Sequence, residues 1–335
     1  MRKFNLFLLL GTFVVLISCN DTKAKKKYLP SSTGGVNSLI VVMDNELWEG
    51  GIGDKVREYF ARPALGLSPE QAIFTITQIP PQVFSGAVTQ SRSILFVQQD
   101  TLSLAHIKTD VYASPQKIAV IKGEGYNDMA TNIDSLANRA ITSFKALELQ
   151  EAQKRFTRSL SKEKQLQEEF GISLDLPSAY QVGKHEENFV WIDRQIQKGT
   201  MNVIAYTMPE NSFENDTTFV SDILKMRDSI GKKYIPGPDV PGKKTYMITE
   251  RAFAPYVFPA EINGMKAVEV RGIWEMKNYP MAGPFLTYII NDKANKRKLV
   301  IEGFAFAPST QKREYMFELE ALLKTIKLEE QARVP

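Results

Sequence analysis

Cys19 is the only cysteine among 335 residues, so no disulfide can close within this chain and its fold must be held by its own core. The composition supplies one. Hydrophobic residues make up 43% and charged residues 24%, an ordinary globular mixture. The length predicts two domains or one large one. A formal charge of +4, which includes Arg2 and Lys3, is no nucleic-acid footprint. His106 and His185 are the only two histidines, which leaves almost no material for a histidine metal site or a hydrolase triad. No G-x-S-x-G, H-E-x-x-H, P-loop or calcium-loop pattern occurs, and neither a cofactor nor a metal is expected.

The place of the cysteine is informative. Arg2 and Lys3 make a short basic start, and Phe4 to Ile17 are apolar except for Asn5, Gly11 and Thr12. Such a stretch is a secretory signal, too short for a stable span. Leu16-Ile17-Ser18-Cys19 resembles the lipobox of bacterial lipoproteins. That resemblance implies cleavage before Cys19, a diacylglycerol on its thiol and acylation of the new amine; two or three chains anchor durably where one holds only marginally. The expected layout is a signal peptide over 1–18 and a lipidated flexible tether over 19–36, carrying Lys23, Lys25, Lys26, Lys27 and the run Pro30-Ser-Ser-Thr-Gly-Gly35. Some surface-exposed lipoproteins of the Bacteroidetes have an acidic cluster after the cysteine. Asn20-Asp21-Thr22-Lys23 does not resemble it, so the expectation is the cell envelope, at the outer membrane and facing the periplasm.

Beyond the tether, Ser38 to Asp44 is a β-branched run that predicts a buried strand. Glu46 to Ala61 shows helical spacing, and Ala72 to Ile79, Ser93 to Gln99 and Lys117 to Ile121 predict strands. Apolar residues from Asn127 to Phe170 recur every three or four positions, as one long helix or two broken near Ser159-Leu160-Ser161, closed by Gly171. In the second half, strands are expected at 189–194, 201–207, 266–274, 285–291 and 298–305. Helices are expected at 218–232 and 314–327. The fold class is therefore α+β: two α+β domains, 37–160 and 161–330, with mostly antiparallel sheets joined by a long helix or helix pair. The element order of the second resembles the α/β/α sandwich of the PsbP photosystem subunit.

Candidate motifs are few. Gly51-Ile-Gly53 lacks the third glycine of a dinucleotide loop and reads as a helix-entry turn. His185 falls in a polar run expected to be a hydrated loop. Alternation along a strand sends Glu269, Arg271 and Ile273 to one face and Val270, Gly272 and Trp274 to the other. Several segments together resemble a family of Bacteroidetes lipoproteins known only as a domain of unknown function. They are Trp48 with Gly50, Gly53 and Asp54; Arg92-Ser-Ile-Leu95; Arg227-Asp-Ser229; Lys233-Tyr-Ile-Pro-Gly-Pro238; Tyr246-Met-Ile-Thr-Glu250; Glu269-x-Arg271-Gly-Ile-Trp274-Glu275; Met281-Ala-Gly-Pro-Phe285; and Glu302-Gly-Phe-Ala-Phe-Ala-Pro308. Ile273 and Ala282 depart from the Leu and Gly of that pattern. The resemblance implies localisation and architecture and no activity.

The leading expectation is a non-enzymatic envelope protein, held to a membrane through lipid on Cys19, that binds or assembles with an envelope protein, glycan or lipid partner through its C-terminal domain. Its ligand residues are expected to be Arg227, Tyr246, Glu250, Glu269, Arg271 and Trp274, gathered around one concave surface. The rival is a hydrolase of envelope polysaccharide or peptide that uses carboxylates such as Glu250, Glu269 or Glu275. Asp-Ser/Thr-small triplets suggest O-glycosylation, first at Thr217 and then at Thr101.

Overall fold

The computed structural model describes residues 28–328; Cys19 and the signal before it lie outside the described residues. In the first half, β1 (Ser38–Val42), β2 (Thr75–Ile79), β3 (Ser93–Gln99), β4 (Leu104–Thr109) and β5 (Lys117–Gly123) form one sheet in the order β2-β1-β3-β5-β4. The pairs β1–β2, β1–β3 and β3–β5 are parallel, and β4 returns antiparallel against β5. Parallel neighbours require crossovers, and α1 (Asn45–Glu49) with α2 (Gly51–Phe60) supplies the first. The Gly-Ile-Gly turn does enter a helix here. A Cβ on Gly53 would lie 1.8 Å from the Trp48 carbonyl oxygen, so only glycine lets α1 and α2 approach this closely.

One face of this sheet buries Leu39, Val41, Leu95, Val97, Ala119 and Ile121 against Ile52, Val56 and Phe60 of α2 and Met129, Ile133 and Phe144 of α3 (Tyr126–Phe156). That helix is 31 residues long. Its last turns leave the first core and put Ala152 and Phe156 into a second one. It ends at Phe156, and the short α4 (Gln165–Phe170) follows, closed by Gly171 at φ 62. The helical region is therefore a pair, broken over 157–164.

The tether expected to run free to residue 36 is corrected from Pro30 onward. The Thr33 amide donates to the Gln90 carbonyl at 2.9 Å, the Ser114 amide donates to the Pro30 carbonyl at 2.9 Å, and the Arg92 guanidinium donates to the Gly34 carbonyl. Backbone groups of this Ser/Thr/Gly run thus find partners on the surface of the first domain and fix its path there.

The second half is an eight-stranded, fully antiparallel sheet. Its strands are β7 (Gln181–Glu186), β8 (Phe189–Ile196), β9 (Gly199–Pro209), β10 (Met247–Thr249), β11 (Tyr256–Ile262), β12 (Met265–Met276), β13 (Tyr279–Asp292) and β14 (Arg297–Phe306). A two-stranded ribbon of β6 (Ile172–Ser173) and β15 (Lys327–Leu328) stands apart. Alternation splits β13 cleanly. Phe285 and Ile289 face α5 (Phe219–Tyr234), whereas Leu286, Tyr288 and Ile290 face α6 (Arg313–Leu323). The sheet thus carries a helix on each face. His185, expected in a hydrated loop, sits in the edge strand β7 with Nε2 3.0 Å from a Glu169 carboxylate oxygen.

Together these elements make an α+β protein with mostly antiparallel pairing, its parallel pairs confined to the first sheet. The halves are joined by α3 and by α6, whose first amides, Lys312 and Arg313, both donate to Gln71 Oε1 at 2.9 Å. Arg313 reaches further, to the Ala72 carbonyl at 2.7 Å. Among the described residues no helix is long and apolar enough to cross a membrane.

Candidate functional site

The six residues expected on one concave surface are divided by the C-terminal sheet. On the α5 face, Arg227 is 3% exposed and grips Glu302 with two hydrogen bonds, from Nε at 2.7 Å and from Nη2 at 2.5 Å. Its Nη1 donates to Thr249 Oγ1 at 2.6 Å, and its guanidinium lies 3.5 Å from the centre of the Phe285 ring. Trp274 is buried on the same face, edge-on to Phe304. Glu269 and Arg271 occupy the opposite face. Arg271 Nε donates to Glu269 at 2.6 Å and its Nη2 to Glu320 at 2.8 Å, while the Tyr288 hydroxyl donates to Glu269 at 2.8 Å. Tyr246 is half-buried, with Lys277 over its ring. A strand must send neighbours to opposite faces, so Arg271 and Trp274 cannot share a cleft, and the single-surface expectation is corrected.

Of the six, only Glu250 borders the groove between the domains. This groove has a volume of about 290 Å³. One wall is the loop after α2, with Leu65, Leu67 and Glu70; the other is the segment between β10 and β11, with Glu250, Phe253 and Tyr256; Gly272 and Ile273 of β12 form the floor. Local geometry builds both walls. Gly66 takes a left-handed φ of +76, which favours glycine, and passes close to β12, where a Cβ would lie 3.0 Å from Arg271 Cβ. Opposite, the Glu250 carboxylate accepts the amides of Ala252 and Phe253, closing a turn that lifts Phe253 out to 80% exposure. Leu65 and Tyr256 are also exposed large apolar groups, and the Phe258 ring lies parallel to that of Tyr256 at 6.5 Å. Apolar side chains gathered this way around a concavity at a domain boundary mark a binding surface.

Beneath the same loop, Lys145 of α3 lines a cavity of about 40 Å³ with Arg271 and Glu320. Burial holds the Lys145 amine below the ordinary lysine value, against the pull of Glu320. Burial also pushes the Glu320 carboxyl up, but the charges of Arg271 and Lys324 more than reverse this and hold it at about 2. The Arg271–Glu320 pair ties β12 to α6 under the groove.

Sequence reasoning missed Leu65, Leu67, Phe253 and Tyr256. Their signal was the apolar residues in Leu65-Gly-Leu67-Ser-Pro69 and Phe253-Ala-Pro255-Tyr256, which follow neither helical nor strand periodicity. Thr217 and Thr101 are both exposed outside helices and strands, whereas two further triplets of the same kind, Asp134-Ser135-Leu136 and Asp228-Ser229-Ile230, lie within α3 and α5. Among the described residues no group of three or more His, Cys, Asp or Glu is placed to hold a metal ion.

Fold and site define a two-domain α+β protein with a groove at the domain boundary. Residues 159–325 match the model of the domain of unknown function DUF4837, and residues 32–157 match that of the domain of unknown function DUF8532. The two matches meet at the end of α3 and support placing the chain in an uncharacterised family. No curated protein matches. Among solved structures, a point mutant of the protein Mog1 aligns over 48% of this chain and 93% of its own, at 7% identity and a TM-score of 0.30. The Saccharomyces cerevisiae Ran-binding protein Mog1p aligns over 47% and 90%, at 6% identity and a TM-score of 0.28. Likenesses at this level carry nothing about function.

Proposed function

We propose that this protein is a non-enzymatic binding module of the bacterial cell envelope, held to a membrane by lipid on Cys19, and that the groove between its domains seats its partner. The groove carries the reading: apolar walls and an exposed aromatic rim, with Glu70 and Glu250 and no cation among the residues that line it. Such a lining complements an extended polypeptide segment that presents an apolar side chain beside a basic one. The lipobox supports the anchor, and the motif resemblance supports a Bacteroidetes source and an outer-membrane position facing the periplasm. The PsbP-like arrangement of residues 161–330 and O-glycosylation at Thr217 or Thr101 belong to the same proposal.

A hydrolase is the second reading, favoured by one observation: Glu70 and Glu250 border the same groove. Against it, Glu250 is turned toward its own loop by the two amides it accepts, and Glu269 is committed to Arg271 and Tyr288.

The test combines Ile273→Arg with Phe253→Ser. The double variant is expected to lose the partner that co-purifies with the protein from solubilised envelopes, at unchanged thermal unfolding. Retention of the same partner at the parental yield contradicts the reading. For the anchor, Cys19→Ser is expected to appear in the soluble envelope fraction or to keep its signal. A processed variant that still fractionates with membranes would refute lipidation.

A further inference from the structure

The α5 face of the C-terminal sheet holds a second cavity, of about 190 Å³, away from the domain boundary. Strand register explains its two-part lining. Val268, Ile289 and Val300 stand side by side across β12, β13 and β14, and the first two form an apolar floor. One step along the same face, Asn291 stands opposite Lys298, and Lys266 lies two residues before Val268. Lys266 and Lys298 therefore flank the mouth. Here the sheet is covered by Phe213 and by Phe219, the first residue of α5, with ring centres 6.4 Å apart and edge to face. Phe213 is held at φ 66, a left-handed conformation that bulky side chains avoid and that recurs at ligand clamps.

The charges at the mouth are unbalanced. Among the described residues Lys298 Nζ donates only to the neutral Asn291 side chain, at 3.2 Å. Lys266 makes no ion pair within the described residues, although Glu261 stands opposite it in register. No carboxylate lines the cavity. Two ammonium groups beside an apolar pocket are complementary to a negative head carrying an apolar tail. The volume is below the roughly 300–1,000 Å³ of drug-sized sites, so the tail is short.

We propose that this cavity binds a single-chain anionic amphiphile of the fatty-acid class, with its carboxylate between Lys266 and Lys298 and its tail on Val268 and Ile289 under the two phenylalanines. The site is separate from the interdomain groove and does not depend on what occupies that groove.

Photolabelling of the full chain with a diazirine analogue of octanoate tests it. The label is expected within 212–219 or on β12 and β13. Competition should strengthen about fourfold per methylene from butanoate to octanoate, as burial of each methylene requires, and octanol should compete at least tenfold more weakly than octanoate. Lys266→Gln with Lys298→Gln, both at the mouth, should reduce labelling at least tenfold while thermal unfolding is unchanged. Label scattered over other segments, equal competition by octanol, or labelling indifferent to the two lysines overturns the proposal. Vesicles of anionic lipid form the last arm. If the lysine variant loses vesicle binding while the parent takes no octanoate label, the lysines serve a membrane surface and the proposal fails.

Discussion

Arg227 and Glu302 are 75 positions apart in sequence, and each reads alone as an exposed polar residue. In the fold they form a buried pair, 2% and 1% exposed at their side chains, completed by Thr249 and by Thr287, whose hydroxyl donates to Glu302 at 2.6 Å. Removing one partner strands the other charge, so Arg227→Met is expected to cost about 3–5 kcal/mol in urea unfolding. Arg227→Met with Glu302→Leu should recover most of that loss; a double variant as unstable as the single one would contradict this account. The Arg271–Glu320 pair makes a pH prediction. Glu320 is held at about 2 against an ordinary 4.5. A depressed carboxyl stabilises above its unfolded value, so this contribution is complete above about pH 4.5 and is lost as pH falls toward 2. Arg271→Met should therefore be less stable than the parent at pH 7, with the gap narrowing between pH 4.5 and 2. A gap that is constant across that range would rule the coupling out.

Among elements, those most legible in the sequence bury an unbroken apolar run: β1, β3, β5, β9 and β14 follow their β-branched and aromatic stretches closely. The strands β4, β7, β10 and β11 escaped for different reasons: β7 carries little apolar signal, β10 is only three residues long, β4 mixes apolar and polar residues, and the apolar run of β11 is interrupted by proline. β7 reads Gln-Val-Gly-Lys-His-Glu and β11 contains Pro259, the chemistry of protected edges. The α6 helix stops at Leu323, before the expected Lys327, because Ile326 packs into the core as the chain turns toward β15. Pairing direction was not legible either, since a buried β-branched run does not reveal whether its neighbour runs parallel. The start of α6 supplies an element-scale prediction. Gln71→Ala removes the acceptor for two of its first amides and should cost about 1 kcal/mol. Differential scanning calorimetry measures it, and an unchanged midpoint would show that Gln71 does not cap the helix.

At the scale of the whole molecule, α3 belongs to both cores and α6 is capped from the other domain, so the groove lies between walls fixed to one another. Its lining mixes a loop after α2 with a segment before β11, nearly 200 residues further along the chain. No local pattern joins them, which explains why the expected ligand set caught Glu250 and missed Leu65, Phe253 and Tyr256. That set rested on motif density, and most of the dense motifs proved to be the internal supports of the sheet. The most direct test of the groove as a partner seat is a photo-crosslinking residue at Phe253 in intact cells. Tyr126 is the comparison: it is exposed and lies about 28 Å along α3 from Lys145, at 1.5 Å per residue. A partner seat predicts one discrete protein adduct from position 253, absent from position 126 and lost with Ile273→Arg. No adduct, the same adducts from both positions, or adducts indifferent to Ile273→Arg would contradict it.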